Sequence, residues 1–569
     1  MDNSGWNMYV FRDGRKTVSG DTVRDRLLQS ISRYATSPSE DSSLAALIAA
    51  GEMECALADT ANEDAVTPPS AAPHLPSLSR RGSVAVASTI TDRLAESLVT
   101  GSFLSPEPLL AAATSLRVPD LVPLSVAEGF AYYALHPLKF VNLANTLALP
   151  KAARVIGLRS IGTTLSAVFA AALRARDVSA QRITVRPTGH PYERQLSFTD
   201  SEERWLRSAG HDVQVFLVDE GPGLSGSSFL AVAEAVERAG IPRENIWMIG
   251  SREADPAQLR APNAAERWPR FNFRAVASHP LLPAHADIDI GGGAWRERLS
   301  PPDNQPATWA QLESAKYMSA DGGRRYKFHG YGSYGETIAA RAAKLADAGF
   351  APPLLALEKG FGVYDFIPGR TLTPADLDAE LIRYFAAYCA FRACQFRSSE
   401  CSPELLRMAA WNWECEFGAP LGSALSLPVV NCVLADARML PYEWLRTNDN
   451  RILKLDAVSH GDDHFFPGPC DIAWDLAGAI VEWHMDSAAT ATFLARYQLL
   501  SGDDATDRLG DYLLAYTIFR MAWSKMAARA SAGTPDELAL HRDYLSYRSQ
   551  AQQLAEARIR PLQITLSAQ

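Results

Sequence analysis

Two groups of residues in this chain of 569 have the types and spacing for chemistry on phosphorylated compounds. In the first, the apolar run Val215 to Val218 leads into Asp219 and Glu220 and then into a loop of glycines and hydroxyls, Gly221 to Ser228, reading GPGLSGSS. Adjacent carboxylates at a strand end suit a sugar diol or the Mg²⁺ that travels with phosphate. A Gly/Ser loop entering a helix offers N–H groups and hydroxyls to the phosphate itself. The second group lies in the C-terminal half: Lys327, Glu336, Asp436 and Asp456. A buried lysine facing a helix carboxylate aims positive charge at the phosphates of ATP. An acid after an apolar strand orients an acceptor hydroxyl, and a second strand-ending acid holds Mg²⁺.

The first group has companions. Arg159, Gly162, Thr163 and Thr164 in VIGLRSIGTTLSAVFAAAL form a second strand-loop-helix unit able to place N–H groups, hydroxyls and a cation around another phosphate. Arg186, His190 and Arg194 in RITVRPTGHPYER complete an anion pocket. The stretch VFLVDEGPGLSGSS resembles the signature of type I phosphoribosyltransferases. That resemblance implies that Asp219 and Glu220 contact the ribose hydroxyls of phosphoribosyl pyrophosphate and that Ser225, Gly226, Ser227 and Ser228 cradle its 5′-phosphate. The RSIGTT loop then stands where the family holds pyrophosphate and Mg²⁺. The acid pair here is Asp-Glu rather than Asp-Asp, and the GPGL spacer is one residue longer than is usual.

The order of acids in the second group resembles the aminoglycoside phosphotransferase and choline kinase family. The resemblance makes Asp436 the catalytic acid that starts the catalytic loop, Asp456 the Mg²⁺ ligand, and Lys327 with Glu336 the ATP-binding pair. Two positions depart from the pattern: Leu434 replaces a histidine two residues before Asp436, and Pro441 replaces the asparagine five residues after it. His460, Asp462, Asp463 or His464 in SHGDDHFF can substitute for that asparagine, and the same cluster also admits a separate metal site, although it lacks His-x-x-x-His spacing. Asp471 and Asp475 open an apolar helix that one of them can cap.

The elements that must position these residues follow from the apolar pattern. Short β-rich runs near 153, 181, 213 and 245 alternate with helical patterns, which implies a parallel α/β sheet. From 308 onward short strands, one helix and then mostly helix imply a bilobal α+β unit. The expected organisation is a small helical segment at 1–66, a Pro/Ser-rich linker at 67–88, a phosphoribosyltransferase-like α/β domain at 89–290, a Pro-rich linker at 291–307 and a kinase-like domain at 308–569. RRGSV, ending at Val84, matches a short basic-directed phosphorylation pattern.

Hydrophobic residues are 47% of the chain, charged residues 21%, and the net charge of −10 gives no general electrostatic reason to expect nucleic acid. Seven cysteines, an odd number without a CxxC pair, fit a reduced chain better than a disulfide framework. No leader pattern and no run of eighteen apolar residues is visible, so a cytoplasmic protein with small-molecule partners and no membrane contact is expected. The function these readings favour is a bifunctional phosphoribosyltransferase and small-molecule kinase of nucleoside-type metabolism, using phosphoribosyl pyrophosphate, ATP and Mg²⁺. The alternative is a sensor in which a phosphoribosyl-binding domain controls a degenerate kinase-like lobe.

Overall fold

The computed structural model describes residues 8, 15–66, 77–208, 210, 212–300, 305–421, 425–462 and 466–566. Its first half contains a five-stranded sheet in the order Ser179–Val185, Ala152–Leu158, Gln214–Val218, Ile246–Gly250, Asn272–Ala275, parallel throughout. The apolar runs that define these strands are long enough to be covered on both faces. The four expected strands are present, and Asn272–Ala275 adds a fifth at the edge.

The N-terminal helices are not a separate segment. Gly20–Thr36, Glu40–Val66 and Ser77–Thr100 share one hydrophobic core with the helix Gly162–Arg174 and the sheet residues Ala153, Val155 and Phe216. Arg182, on an edge strand and 1% exposed, donates to both Glu54 oxygens at 2.9 and 3.0 Å and to Asp92 at 2.8 Å, fastening two of those helices to the sheet. Residues 67–76 of the expected linker lie outside the described residues. The remainder, 77–88, opens the helix Ser77–Thr100, because Ser83, Ala87, Ile90 and Leu94 recur at helical spacing and are buried. Ser83 accepts the Arg117 backbone N–H at 3.1 Å and is 6% exposed, so the RRGSV serine faces inward.

The second half is bilobal. Its small lobe is an antiparallel sheet in the order Ile288–Asp289, Lys316–Met318, Arg324–Phe328, Phe361–Asp365, Leu354–Glu358, with the helix Ser333–Asp347 beside it. The larger lobe packs the helices Ala379–Gln395, Ala473–Glu482 and Thr506–Ala530 around Phe385, Trp444, Trp474 and Trp483. Cys401 and Cys432 are joined in a disulfide, which corrects the expectation of a fully reduced chain. Thirty-one residues separate them in sequence, so local spacing carries no sign of the pair. No helix among the described residues is long and apolar enough to cross a membrane.

The two halves share a core. Tyr317, Tyr326, Phe328, Tyr331 and Phe361 of the small lobe belong to the same buried cluster as Leu47, Ile48, Phe130 and Ala134 of the first half. The turn GYGSYG docks there: Tyr331 N–H donates to the Phe130 carbonyl at 2.9 Å and Tyr334 Oη to Glu52 at 2.6 Å. Gly332 has φ +56, and a Cβ on it would come within 3.2 Å of Ala45 Cα, so both conformation and space call for glycine. The expected linker at 291–307 is likewise engaged, since Arg296 pairs with Asp536 at 2.6 Å. A fragment starting at Thr308 loses the strand Ile288–Asp289 and uncovers Tyr326, Phe328, Tyr331 and Phe361. It is expected to be insoluble or to bind an apolar dye strongly, whereas a monodisperse, dye-silent 308–569 fragment on gel filtration would show the shared core to be dispensable.

Candidate functional site

Two concave sites carry the chemistry-bearing residues. The first is a cavity of about 460 Å³ between the lobes of the second half, closed on one side by Lys16, Arg26, Tyr132 and Tyr133 of the first half. Among the described residues its wall holds seven lysines and arginines (16, 26, 298, 316, 325, 327 and 438) against three acids, Glu313, Glu443 and Asp456. That wall carries an excess of four positive charges in a chain of net charge −10, with Arg26 paired to Glu52 just outside it at 3.1 Å.

Lys327, on the strand Arg324–Phe328, is buried and pairs with Asp456. Asp456 stands two residues past the strand Ile452–Lys454, with one oxygen 3.4 Å from His460 Nε2. Burial pushes the Asp456 carboxyl up, but the charges of His460 and Lys327 outweigh it and hold it well below the usual carboxylate range. Burial lowers Lys327, with Asp456 opposing that shift. His460 Nδ1 faces Glu443 at 3.9 Å, Glu443 accepts from Lys454, and Lys454 Nζ lies 3.4 Å from Asp436. The set of Asp456, Glu443 and phosphate-type oxygens matches what Mg²⁺ accepts. The buried His460 Nδ1 has no hydrogen-bond partner among the described residues and faces Glu443. These residues fit the ion.

Two sequence expectations are corrected here. Glu336, in the first turn of the helix Ser333–Asp347, pairs with Arg33 and not with Lys327. The docked turn before that helix directs the first turn toward the N-terminal helices. Asp436 is not presented to the cavity. Its side chain is 0% exposed, accepts from Tyr388 Oη and from the Arg438 backbone N–H at 3.2 Å, and faces Lys454. Asp475 caps the loop and not its own helix, accepting the backbone N–H groups of Asp436 and Ala437 at 2.8 and 3.0 Å. Burial, with Asp436 adding to it, raises Asp475 to about 6. Of the proposed substitutes for the missing asparagine, His460 reaches the site, while Asp463 and His464 lie outside the described residues. The Asp462 side chain is also outside them. Glu443 and Lys454 escaped the sequence reading, because one follows a proline turn and the other sits in an apolar strand.

The second site is a cleft of about 580 Å³ at the carboxyl ends of the parallel strands, lined by Arg15, Glu128, Ser160, Arg186, Arg194 and Glu220 among others. Burial raises Asp219 to about 7. Burial, then the carboxylates of Glu128 and Asp219, raise Glu220 to about 8, although the Gly129 N–H donates to it at 3.0 Å. Arg186 reaches the cleft but its Nε donates to Asp59 at 2.7 Å, and Arg159 pairs with the same acid at 2.9 Å while 4% exposed. Arg194 lines the cleft and donates to the Gly189 carbonyl, and His190 is exposed beside Tyr192.

The expected phosphate loops are turned differently. Thr163 and Thr164 are buried, the latter against Gly51 of the helix Glu40–Val66, since N-terminal helices cover that face. Gly162 packs against the Val218 carbonyl and Asp219. Ser225 and Ser227 donate to the Pro191 carbonyl at 3.0 and 2.6 Å. Gly226, at φ +66, and Ser228 flank Ser227 at the start of the helix Ser227–Arg238.

No family model and no curated protein matches the chain. Among solved structures, a choline kinase from Streptococcus pneumoniae aligns at 14% identity over 43% of this chain and 90% of its own, with a TM-score of 0.30. A choline/ethanolamine kinase family protein from Mesorhizobium loti aligns at 16% identity over 49% of this chain and 95% of its own, TM-score 0.31. A macrolide 2′-phosphotransferase from Brachybacterium faecium aligns at 16% identity over 41% and 88%, TM-score 0.28.

The raised carboxyls give a pH signature. Glu220 is ordinarily ionised above 4.5 but in the fold holds its proton to about 8. Its ionisation therefore opposes folding increasingly between those values and by a constant amount above them. Glu220→Gln is expected to melt at the same temperature as wild type at pH 4 and progressively higher up to pH 8, then to keep a constant advantage. Scanning calorimetry at pH 4, 6 and 8.5 checks this, and an advantage independent of pH would remove the buried-acid reading.

Proposed function

We propose that the cavity of the second half binds a nucleoside triphosphate, ATP being the expected one, together with Mg²⁺, and passes its terminal phosphoryl group to a small molecule. The observation that carries this reading is the Lys327–Asp456 pair on the wall of a cavity with four excess positive charges. When the nucleotide enters, Lys327 would exchange its carboxylate partner for phosphate oxygens, which leaves Asp456 to hold the ion, with the Glu443 oxygen that Lys454 does not take on the same wall. Bound Mg²⁺ supplies charge neutralisation on the phosphates. Arg438 and Lys316 face the same space and offset charge that develops on the group in transit. The acceptor lies against Lys16, Arg26, Tyr132 and Tyr133, which suit an anionic molecule with a flat face. Asp436 acts as a positioning residue through Lys454 and the loop held by Asp475.

In the parallel-sheet cleft we propose a phosphoribosyl compound, phosphoribosyl pyrophosphate in the first instance, with Glu220 and Asp219 on the ribose diol or its Mg²⁺ and Arg186 and Arg194 on phosphate. Support comes from two carboxyls, largely buried and pushed up toward neutrality, at the strand ends where α/β sheets bind ligands. A second reading, in which this cleft senses its ligand and the second half binds nucleotide without turnover, is favoured by the burial of Asp436. Net consumption of ATP by the purified chain in the presence of a metabolite extract separates the two.

Asp456→Asn is expected to weaken ATP binding in Mg²⁺ by at least about tenfold, roughly 1.4 kcal/mol, and to abolish the difference between Mg²⁺ and EDTA expected of wild type. Calorimetry with a non-hydrolysable ATP analogue measures it. Equal affinity in the folded variant would overturn the assignment of Asp456.

A further inference from the structure

We infer that Lys454 is a built-in cation occupying the position of a second divalent ion, so that the cavity handles its nucleotide with one metal ion. This rests on the nucleotide reading of the cavity. Asp436, Glu443 and His460 are all buried, and their potential ligand atoms lie within 4.8 Å of one another. His460 Nδ1 adds a second sign of a cation seat, being 91% buried, given its 9% exposure, without a hydrogen-bond partner among the described residues, and directed at Glu443. An oxygen, oxygen and imidazole set of this kind suits Mn²⁺ or Zn²⁺ as well as Mg²⁺.

The set is already served by an ammonium. Lys454 Nζ donates to Glu443, to the Arg438 carbonyl at 2.9 Å and to the Asp456 carbonyl at 3.3 Å, and lies 3.4 Å from Asp436. Its three protons are thus directed at three oxygens. The side chain is 0% exposed and its tip sits 5.4 Å from the centre of the Trp444 ring, so it has no route to solvent that leaves the core closed. A divalent ion bound to the same carboxylates would lie within a few ångströms of that ammonium, where like charges repel strongly at low dielectric. Lysine and ion therefore exclude one another. Lys454 bonds the Asp456 carbonyl and not its carboxylate, which leaves that carboxylate on the cavity wall for one ion.

Mn²⁺ binding followed by electron paramagnetic resonance tests this with the full chain. With a non-hydrolysable ATP analogue and no phosphoribosyl compound, wild type is expected to bind one Mn²⁺ per chain, and a second ion that survives Asp219→Asn with Glu220→Gln would overturn the inference. Without nucleotide, Lys454→Met, which keeps length and removes charge, is expected to gain one Mn²⁺ bound at least about tenfold more tightly than any in wild type. Adding Glu443→Gln to that variant should remove the gained site. A folded Lys454→Met that gains no ion, or whose gained ion survives Glu443→Gln, sinks the proposal, and if Lys454→Met does not fold, the wild-type stoichiometry decides alone. Absence of nucleotide binding in wild type would instead count against the nucleotide reading, and the metal-only arm would still decide the role of Lys454.

Discussion

A carboxylate taken out of water must be met by cations or donors, and the second half of this protein is arranged around that requirement. From the cavity inward the side chains run Lys327, Asp456, His460, Glu443, Lys454, Asp436, Arg392 and Asp475, acids alternating with groups that donate. They come from several elements and the loops between them. Arg392 belongs to the helix Ala379–Gln395, Asp475 to Ala473–Glu482 and Lys454 to the strand Ile452–Lys454. Pairing along the row therefore fixes how those elements sit against one another. It also makes the interior intolerant of single changes, because removal of one member leaves its neighbour buried and unmatched.

The parallel-sheet cleft treats its acids in the opposite way. Around Asp219 and Glu220, the arginines 159 and 186 are engaged by Asp59 of an N-terminal helix. The acids accordingly hold protons near neutrality. Internal cations hold Asp456 ionised in one site, and burial holds Asp219 and Glu220 toward the uncharged form in the other. The contrast has a single origin, the placement of cationic side chains relative to buried carboxyls.

Much of this was legible in the sequence. Apolar runs of strand length located four strands of the parallel sheet, and Lys327, on a strand, and Asp456, two residues beyond another, line one cavity. What escaped depends on contacts distant in sequence. Glu336 follows a lysine-bearing strand by a few residues, yet its partner Arg33 is some three hundred residues away. Thr163 and Thr164 have the composition of a phosphate loop, and only the cover supplied by the N-terminal helices turns them inward. Prolines between 67 and 76 resemble a linker, although the helices on either side pack on the same sheet. Asp436 follows an apolar run as expected, but exposure is a property of packing from Tyr388 and Lys454, which no local pattern reports.

The docking of Tyr334 on Glu52 joins residues 282 positions apart. On a ribosome adding about 5–20 residues per second, the helix bearing Glu52 emerges roughly 15 to 55 seconds before the turn that covers it. During that interval Ala45, Ile48 and their neighbours present an apolar face with no partner yet made. The nascent first half is thus an incomplete surface, and its safe passage depends on holdase protection or on the pace of translation until the small lobe arrives.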